Sequence, residues 1–257
     1  MPYRLNLYYY AYKHDHNELL PLVLLHGAGG DHLHWPVQIR RLAERRAYAL
    51  DLPGHGKSGG HGLQSIEAYA DHVREWMHEI HLPHAVIAGH SMGGAIALWM
   101  AVHYPERVQG LGLIGTGPHL PVNPQLLEDT AHPSTFPTGL DKITRWSFSE
   151  STDRKIRDLG RERMEEVRPS VLHGDLLACD QFDLREELDR VEAPSVVICG
   201  KEDKMTPPEL SESLARGLNQ AELELIPRAG HMVMIEKPAR VAELLQRFTA
   251  GLNSPSP

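Results

Sequence analysis

Cysteine is scarce: Cys179 and Cys199 are the only two in 257 residues. Two thiols give no disulfide framework, so a cytoplasmic home is expected. Long apolar runs are missing as well. No stretch approaches the roughly 20 residues needed to cross a bilayer. The opening MPYRLNLYYYAYKHDHNE carries tyrosines and charges where a secretory leader needs an unbroken apolar segment. Positive charge is in deficit, 26 Lys and Arg against 34 Asp and Glu for a net −8, which disfavours nucleic acid or an anionic membrane as partner. Zinc spacing is absent despite 17 histidines. HEIHLPH (78–84) resembles a fragment of H-E-x-x-H with its second histidine misplaced, and DHLHW (31–35) puts two histidines in a loop. No metal is expected.

What is present is ordinary globular composition, 41% hydrophobic and 23% charged, in a chain long enough for one large core or two small ones. RLNLYYYAY reads as an opening strand and KHDHNEL as a turn. PLVLLHGAGG, AYALDLPG, HAVIAG and VQGLGLIGTG are buried strands that run into glycine or a turn. Between them VQIRRLAERR, SIEAYADHVREWMHEI and GGAIALWMAVHY have helical patterns, the second with Ile66, Tyr69, Val73, Met77 and Ile80 on one stripe. Continuously apolar strands alternating with helices predict a parallel sheet covered on both faces, an α/β fold.

The alternation pauses near Pro118 and resumes with APSVVICG, PPELSESLARGL, AELELIP and PARVAELLQRF. The division expected is a core domain of 1–118 and 191–257 with a helical cap over 119–190. Within the cap, TDRKIRDLGRERMEEV sets Ile156, Leu159, Met164 and Val167 opposite a charged, solvated face. The tail NSPSP is expected to fray.

Residues 89–94, GHSMGG, match G-x-S-x-G at a turn from a buried strand into a helix. Glycines there relieve a sharp bend that presents Ser91, and the following helix turns its N–H groups and dipole toward developing negative charge. A serine hydroxyl needs a base, and the base needs an orienting carboxylate. RAGHMVMIEKP offers His231 and VVICGKEDKMTPP offers Asp203, with Glu202 its neighbouring rival. All three residues fall at C-terminal ends of predicted parallel strands, where open α/β sheets gather ligands. For the oxyanion the two N–H donors expected are Met92 and Ala28, with Gly27 or Gly29 as substitutes for the latter, and His26 braces their loop. DLPGHGKS ends like a phosphate-binding loop, but the position that needs its first glycine is Asp51. Asp51 and Gly54 are expected to fix a turn instead.

LLHGAGG, LDLPGHGKS, GHSMGG, CGKEDKMTP and GHMVMIEKP, taken in order, resemble the signature blocks of the α/β-hydrolase superfamily from about residue 20 to 250. The nearest subgroup resembled is the small bacterial carboxylesterases and enol-lactonase-like serine hydrolases. The resemblance implies a mostly parallel eight-stranded sheet with helices on both faces, a helical cap between strands six and seven, and the triad Ser91, His231 and Asp203. The activity expected is hydrolysis of small to medium carboxylic esters through an acyl-enzyme, with no cofactor and a small-molecule ester or lactone as partner. Lactonase is the alternative, with carbon–carbon-bond hydrolase, perhydrolase and acyltransferase also open, and from another class a ligand receptor that retains the fold. Serine at 91 argues against dehalogenases and most epoxide hydrolases of this fold, which use aspartate there. Candidate pocket residues are Trp35, His90, Phe136, Trp146, Phe148, Leu172 and Leu176. No exposed apolar lid is visible in the sequence, so long-chain lipase activity is not expected.

Overall fold

The short apolar runs become the strands of one sheet in the computed structural model, which describes residues 3–12, 19–42 and 45–252. They are β1 (Tyr3–Arg4), β2 (Leu7–Tyr12), β3 (Leu22–Leu25), β4 (Ala47–Leu50), β5 (Ala85–His90), β6 (Val108–Ile114), β7 (Ser195–Gly200) and β8 (Ala221–Ile226). Their spatial order is β1-β2-β4-β3-β5-β6-β7-β8. β2 pairs antiparallel with β1 and β4, and every pair from β4 to β8 is parallel. The eight-stranded, mostly parallel sheet expected from the signature blocks is therefore present. Every residue of β3, β4, β5 and β7 is buried, as a parallel sheet covered on both faces requires.

Side-chain alternation splits the core in two. Val23, Leu25 and Ile87 face α2 (Ile66–Glu79) and α3 (Met92–His103), while Leu22, Leu24 and Val86 pack with α1 (Val37–Arg40) and the last helix of the chain. α2 forms as its pattern predicts. The Ser65 side chain accepts from the Ala68 N–H at its start, and Ile66, Tyr69, Val73 and Met77 are buried along one stripe, the cap being worth about 1 kcal/mol. α1 is shorter than VQIRRLAERR predicts. Arg41 leaves helical geometry, and the buried Arg45 guanidinium donates to the Leu20 and Thr249 carbonyls, which draws the chain out toward β4. Ala43 and Glu44 lie outside the described residues, as do 13–18 of the expected turn and the NSPSP tail.

Between β6 and β7 stand α4 (Pro124–Ala131), α5 (Phe136–Ser147), α6 (Arg154–Glu165) and α7 (Pro169–Asp180). The β structure among the described residues of this insertion is one bridge, His119 to Asp183. None of the residues of α6 is fully buried. α8 (Pro208–Gly217), α9 (Val233–Glu236) and α10 (Pro238–Ala250) complete the chain. Among the described residues no helix is long and apolar enough to cross a membrane.

Candidate active site

The strand order reverses around β3, with β4 on one side and β5 on the other. Such a switch point opens a crevice at the carboxyl ends of the strands. β3 delivers the loop of Gly27 and Ala28 to it, and β5 delivers Ser91. Ser91 has φ 52° and ψ −118°, a conformation that costs a side-chain-bearing residue on the order of 1–3 kcal/mol. Its backbone is held on both sides. The N–H donates to Ile114 O (2.9 Å), and the carbonyl accepts from the N–H groups of Gly94 and Ala95 and the Thr116 hydroxyl (2.8, 3.1 and 3.0 Å). The flanking glycines are steric necessities. A β-carbon at Gly89 would overlap the Gly93 carbonyl, and one at Gly93 would overlap the Leu25 carbonyl.

β7 and β8 deliver the other two groups. His231 Nδ1 lies 2.9 Å from Asp203 Oδ2, and both residues are buried. Asp203 Oδ1 accepts from the N–H groups of Met205 and Thr206, each at 2.9 Å. The Thr206 hydroxyl sits 2.9 Å from Asp203 Oδ2, 3.1 Å from His231 Nδ1 and 2.8 Å from the Gly115 carbonyl. The carboxylate is thus fixed from several directions, and the imidazole proton on Nδ1 points at it. Glu202, the rival acid, turns away to accept from the Ser149 hydroxyl at 2.7 Å. Thr206 escaped the sequence reading; its position three residues after Asp203, where a hydroxyl can bond back to the carboxylate, is the signal.

Of the candidate oxyanion donors, Gly29 is committed elsewhere, because its N–H donates to Asp175 Oδ2 (2.8 Å). Ala28 lines the crevice. Met92 opens α3, and a first-turn N–H has no carbonyl of its own helix to bond. His26 braces the loop: its Nδ1–H donates to Gly27 O (2.8 Å) and its Nε2 accepts from the Leu52 N–H (3.0 Å). In the next turn the Asp51 carboxylate accepts from the N–H groups of His32 and Lys57 (2.6 and 2.8 Å). Gly54 has φ 84°, and the Lys57 ammonium rests over the Tyr8 ring, so GKS closes a turn.

Asp175 is the largest omission from the sequence reading. It sits on α7, fully buried, and accepts from Gly29 N–H, from His55 Nε2 (2.7 Å) and from the Tyr69 hydroxyl (2.5 Å). One carboxylate therefore ties the insertion to the loop beside Ser91. The signal was an acid inside the apolar stretch VLHGDLLAC, since a carboxylate among such neighbours needs buried partners.

Ser91 and His231 open onto a cavity of about 420 Å³. Trp146, Leu172, Leu176 and His90 line it, as expected, together with Leu126 and Ile143. Its one fully charged side chain among the described residues is Lys204. Three expected pocket residues lie elsewhere. Trp35 is completely buried in the core with Ile39 and Leu42, because the turn His32–His34 rotates its indole inward onto α1. Phe136 packs in the core of the insertion against Leu140 and Ile143. Phe148 lines a smaller cavity behind the first. Among the described residues, no three His, Cys, Asp or Glu side chains cluster to hold a metal.

The Alpha/beta hydrolase family model matches residues 22–244. The chain belongs to the α/β-hydrolase family. It is 32% identical over 250 residues to the dihydrolipoyllysine-residue acetyltransferase component of the acetoin cleaving system of Pseudomonas putida, covering 89% of this chain and 63% of that protein. It therefore spans less than two thirds of the length of that relative. It is 31% identical to the pimeloyl-[acyl-carrier protein] methyl ester esterase of Neisseria meningitidis serogroup A, covering 91% of this chain and 78% of the other. A thermophilic esterase from Thermogutta terrifontis superimposes with a TM-score of 0.85 at 25% identity, over 96% of this chain and 94% of that one. The enol-lactonase of Burkholderia xenovorans LB400 shares the fold, with a TM-score of 0.88 at 22% identity over 95% and 96% of the two chains.

In this α/β hydrolase the buried imidazoles make stability depend on pH. Burial, aided by His55, holds His26 well below its usual pKa, and burial, aided by His231, does the same to His90. His55 is the opposite case. Burial pushes it down, but Asp175 and the Pro53 carbonyl, which face its two ring nitrogens, raise it overall. The lowered pair contributes stability above the unfolded value of about 6.5, which is lost as pH falls through the folded values. The His55 contribution is present below about 6.5 and is lost as pH rises through its folded value. Burial lowers His34 as well, so three groups oppose one, and calorimetry should show Tm falling from pH 7.5 to 5.0. His55→Gln, which removes the opposing contribution, should make that fall steeper.

Proposed function

We propose that this α/β hydrolase cleaves carboxylic esters through an acyl-enzyme formed on Ser91. The observation that carries the reading is that Ser91 and a carboxylate-held His231 open onto one cavity. His231 Nε2 takes the Ser91 proton as the oxygen attacks the acyl carbon. Asp203 holds the other ring nitrogen in its protonated tautomer and supports the imidazolium that forms. The Ala28 and Met92 N–H groups face the developing oxyanion, each such donor being worth about 3–4 kcal/mol of barrier. His231 then protonates the leaving alcohol, and water repeats the sequence to release the acid. The esterase names carried by relatives at about 30% identity support the same reading. The insertion over 119–190 acts as the cap, closing the apolar side of the cavity and setting substrate choice.

The test is a fluorophosphonate label read by mass spectrometry, together with turnover of p-nitrophenyl acetate. The label should land on Ser91, and Asp203→Asn should lower kcat on the order of 10⁴-fold while the chain stays folded. Labelling at another residue, or full activity in Asp203→Asn, would overturn the assignment. Slow stoichiometric labelling without turnover would point to a receptor, and turnover confined to cyclic esters to a lactonase.

A further inference from the structure

The cavity beside Ser91 has a neighbour. A second cavity of about 230 Å³ shares His34, Ile143, Ser147, Met164 and Met232 with it. Beyond these shared walls it is bounded by Phe148 and Pro36 on the core side and by Ile156, Leu159 and Gly160 on α6. Of the seven large hydrophobic side chains exposed among the described residues, three line this space: Leu33 at 40%, Ile156 at 36% and Leu159 at 51%. The apolar stripe of α6 thus lines a cavity with an exposed rim rather than a core. Its charged face is satisfied outside, where Arg161 pairs with Asp141 and Glu165.

The polar groups along the way are few: Thr144, His34, Ser147 and, at the exposed edge, Arg163. The Thr144 hydroxyl is used on the Leu140 carbonyl (2.9 Å), which leaves its methyl for the wall. Burial holds the His34 imidazole below its usual pKa, so it is uncharged at neutral pH. Arg163 lies 4.0 Å from Asp31. Ser147 is the remaining hydroxyl of the passage. Met164, unbranched and adaptable, stands between the two spaces.

We propose that the second cavity receives an unbranched, medium-length aliphatic arm of the ester. The arm starts at Ser91, passes Ile143 and Met164, and emerges at the rim of Leu33, Ile156 and Leu159. The proposal rests on the Ser91 reading for the position of the reacting end. Each methylene withdrawn from water should raise kcat/KM, by up to about fourfold where it is fully buried and by less toward the open rim.

Two substrate series separate the two possible arms: p-nitrophenyl acetate, butanoate, octanoate and dodecanoate for the acyl side, and ethyl and octyl acetate for the alcohol side. One series should gain at least about thirtyfold in kcat/KM up to the eight-carbon chain, and for the acyl series little more at twelve. Thr144→Phe, which fills the channel, should lower the octyl-to-short ratio at least tenfold. Ile156→Asp, on the exposed rim and tolerant of a charge, should lower it at least threefold. Circular dichroism checks that each variant is folded, and Ile156→Asp decides if Thr144→Phe is not. A flat profile in both series, or a ratio unchanged in the folded variants, overturns the proposal. Calorimetric binding of the intact esters to Ser91→Ala reads the channel without turnover. Tighter binding of the octanoate there, with no hydrolysis by the wild type, would keep the channel and sink only the esterase reading.

Discussion

Ser91→Ala should lower kcat for p-nitrophenyl acetate by about a million-fold, to the residual rate that the oxyanion donors and binding alone sustain. In the proposed mechanism the loss is that large because nucleophile, base and carboxylate act as one unit, so removing the oxygen idles the other two. KM should change little, since the cavity walls are untouched. The variant should fold as the wild type does, because alanine keeps the β-carbon in the same φ 52° backbone. Ser91→Gly separates chemistry from strain. It abolishes turnover equally, yet it releases a conformation costing on the order of 1–3 kcal/mol against about 0.5–1 kcal/mol of added chain entropy. Its Tm should therefore exceed that of Ser91→Ala. Turnover in Ser91→Ala within a hundredfold of wild type would remove Ser91 from the mechanism, and a Ser91→Gly Tm below that of Ser91→Ala would remove the strain.

Asp175→Ala should be the most damaging change outside the proposed triad. The substitution leaves three buried donors without an acceptor: the Gly29 N–H, His55 Nε2 and the Tyr69 hydroxyl. Breaking a buried charged pair from one side costs about 3–5 kcal/mol, which for a chain of this size lowers Tm on the order of 10 °C. Activity should fall too, because the Gly29 anchor holds the loop that carries Ala28. Asp175→Asn tests the electrostatics apart from the shape. Without the carboxylate His55 loses the partner that raises it, so its titration followed by NMR should move down. An unchanged His55 titration in Asp175→Asn, or a Tm within 2 °C of wild type in Asp175→Ala, would contradict this account.

How much of this was legible beforehand depended on whether the deciding interaction was local. The strands were legible because a parallel sheet buried on both faces writes continuous apolar runs, as in PLVLLHGAGG and HAVIAG. Ser91 and Asp203 follow continuously buried strands, and His231 follows the half-exposed AELELI, so the expected set could be read from positions after three parallel strands of one sheet. Trp35 was misplaced because its direction follows from a single turn at His32–His34, about which hydrophobicity is silent. The stripe on α6 was correctly read as a stripe, but a pattern does not say whether it meets a core or an opening. Asp175, His55 and Tyr69 were invisible as a set. They meet across 120 and 106 positions of sequence, and no periodicity links them.

The insertion begins and ends at one spot. His119 and Asp183 form a β-bridge, and the Leu184 N–H donates to the Pro118 carbonyl (2.8 Å). A segment whose two ends clasp in this way behaves as a cassette. Exchange for the corresponding piece of another family member should therefore leave the length of the sheet beneath unchanged. The clasp alone does not make a transplant succeed. A guest should present an acid where Asp175 stands, to keep His55 and Tyr69 partnered, and hydroxyls where Ser149 and Thr152 meet Glu202 and Glu236, so chimaeras should be chosen by these positions before overall similarity is considered.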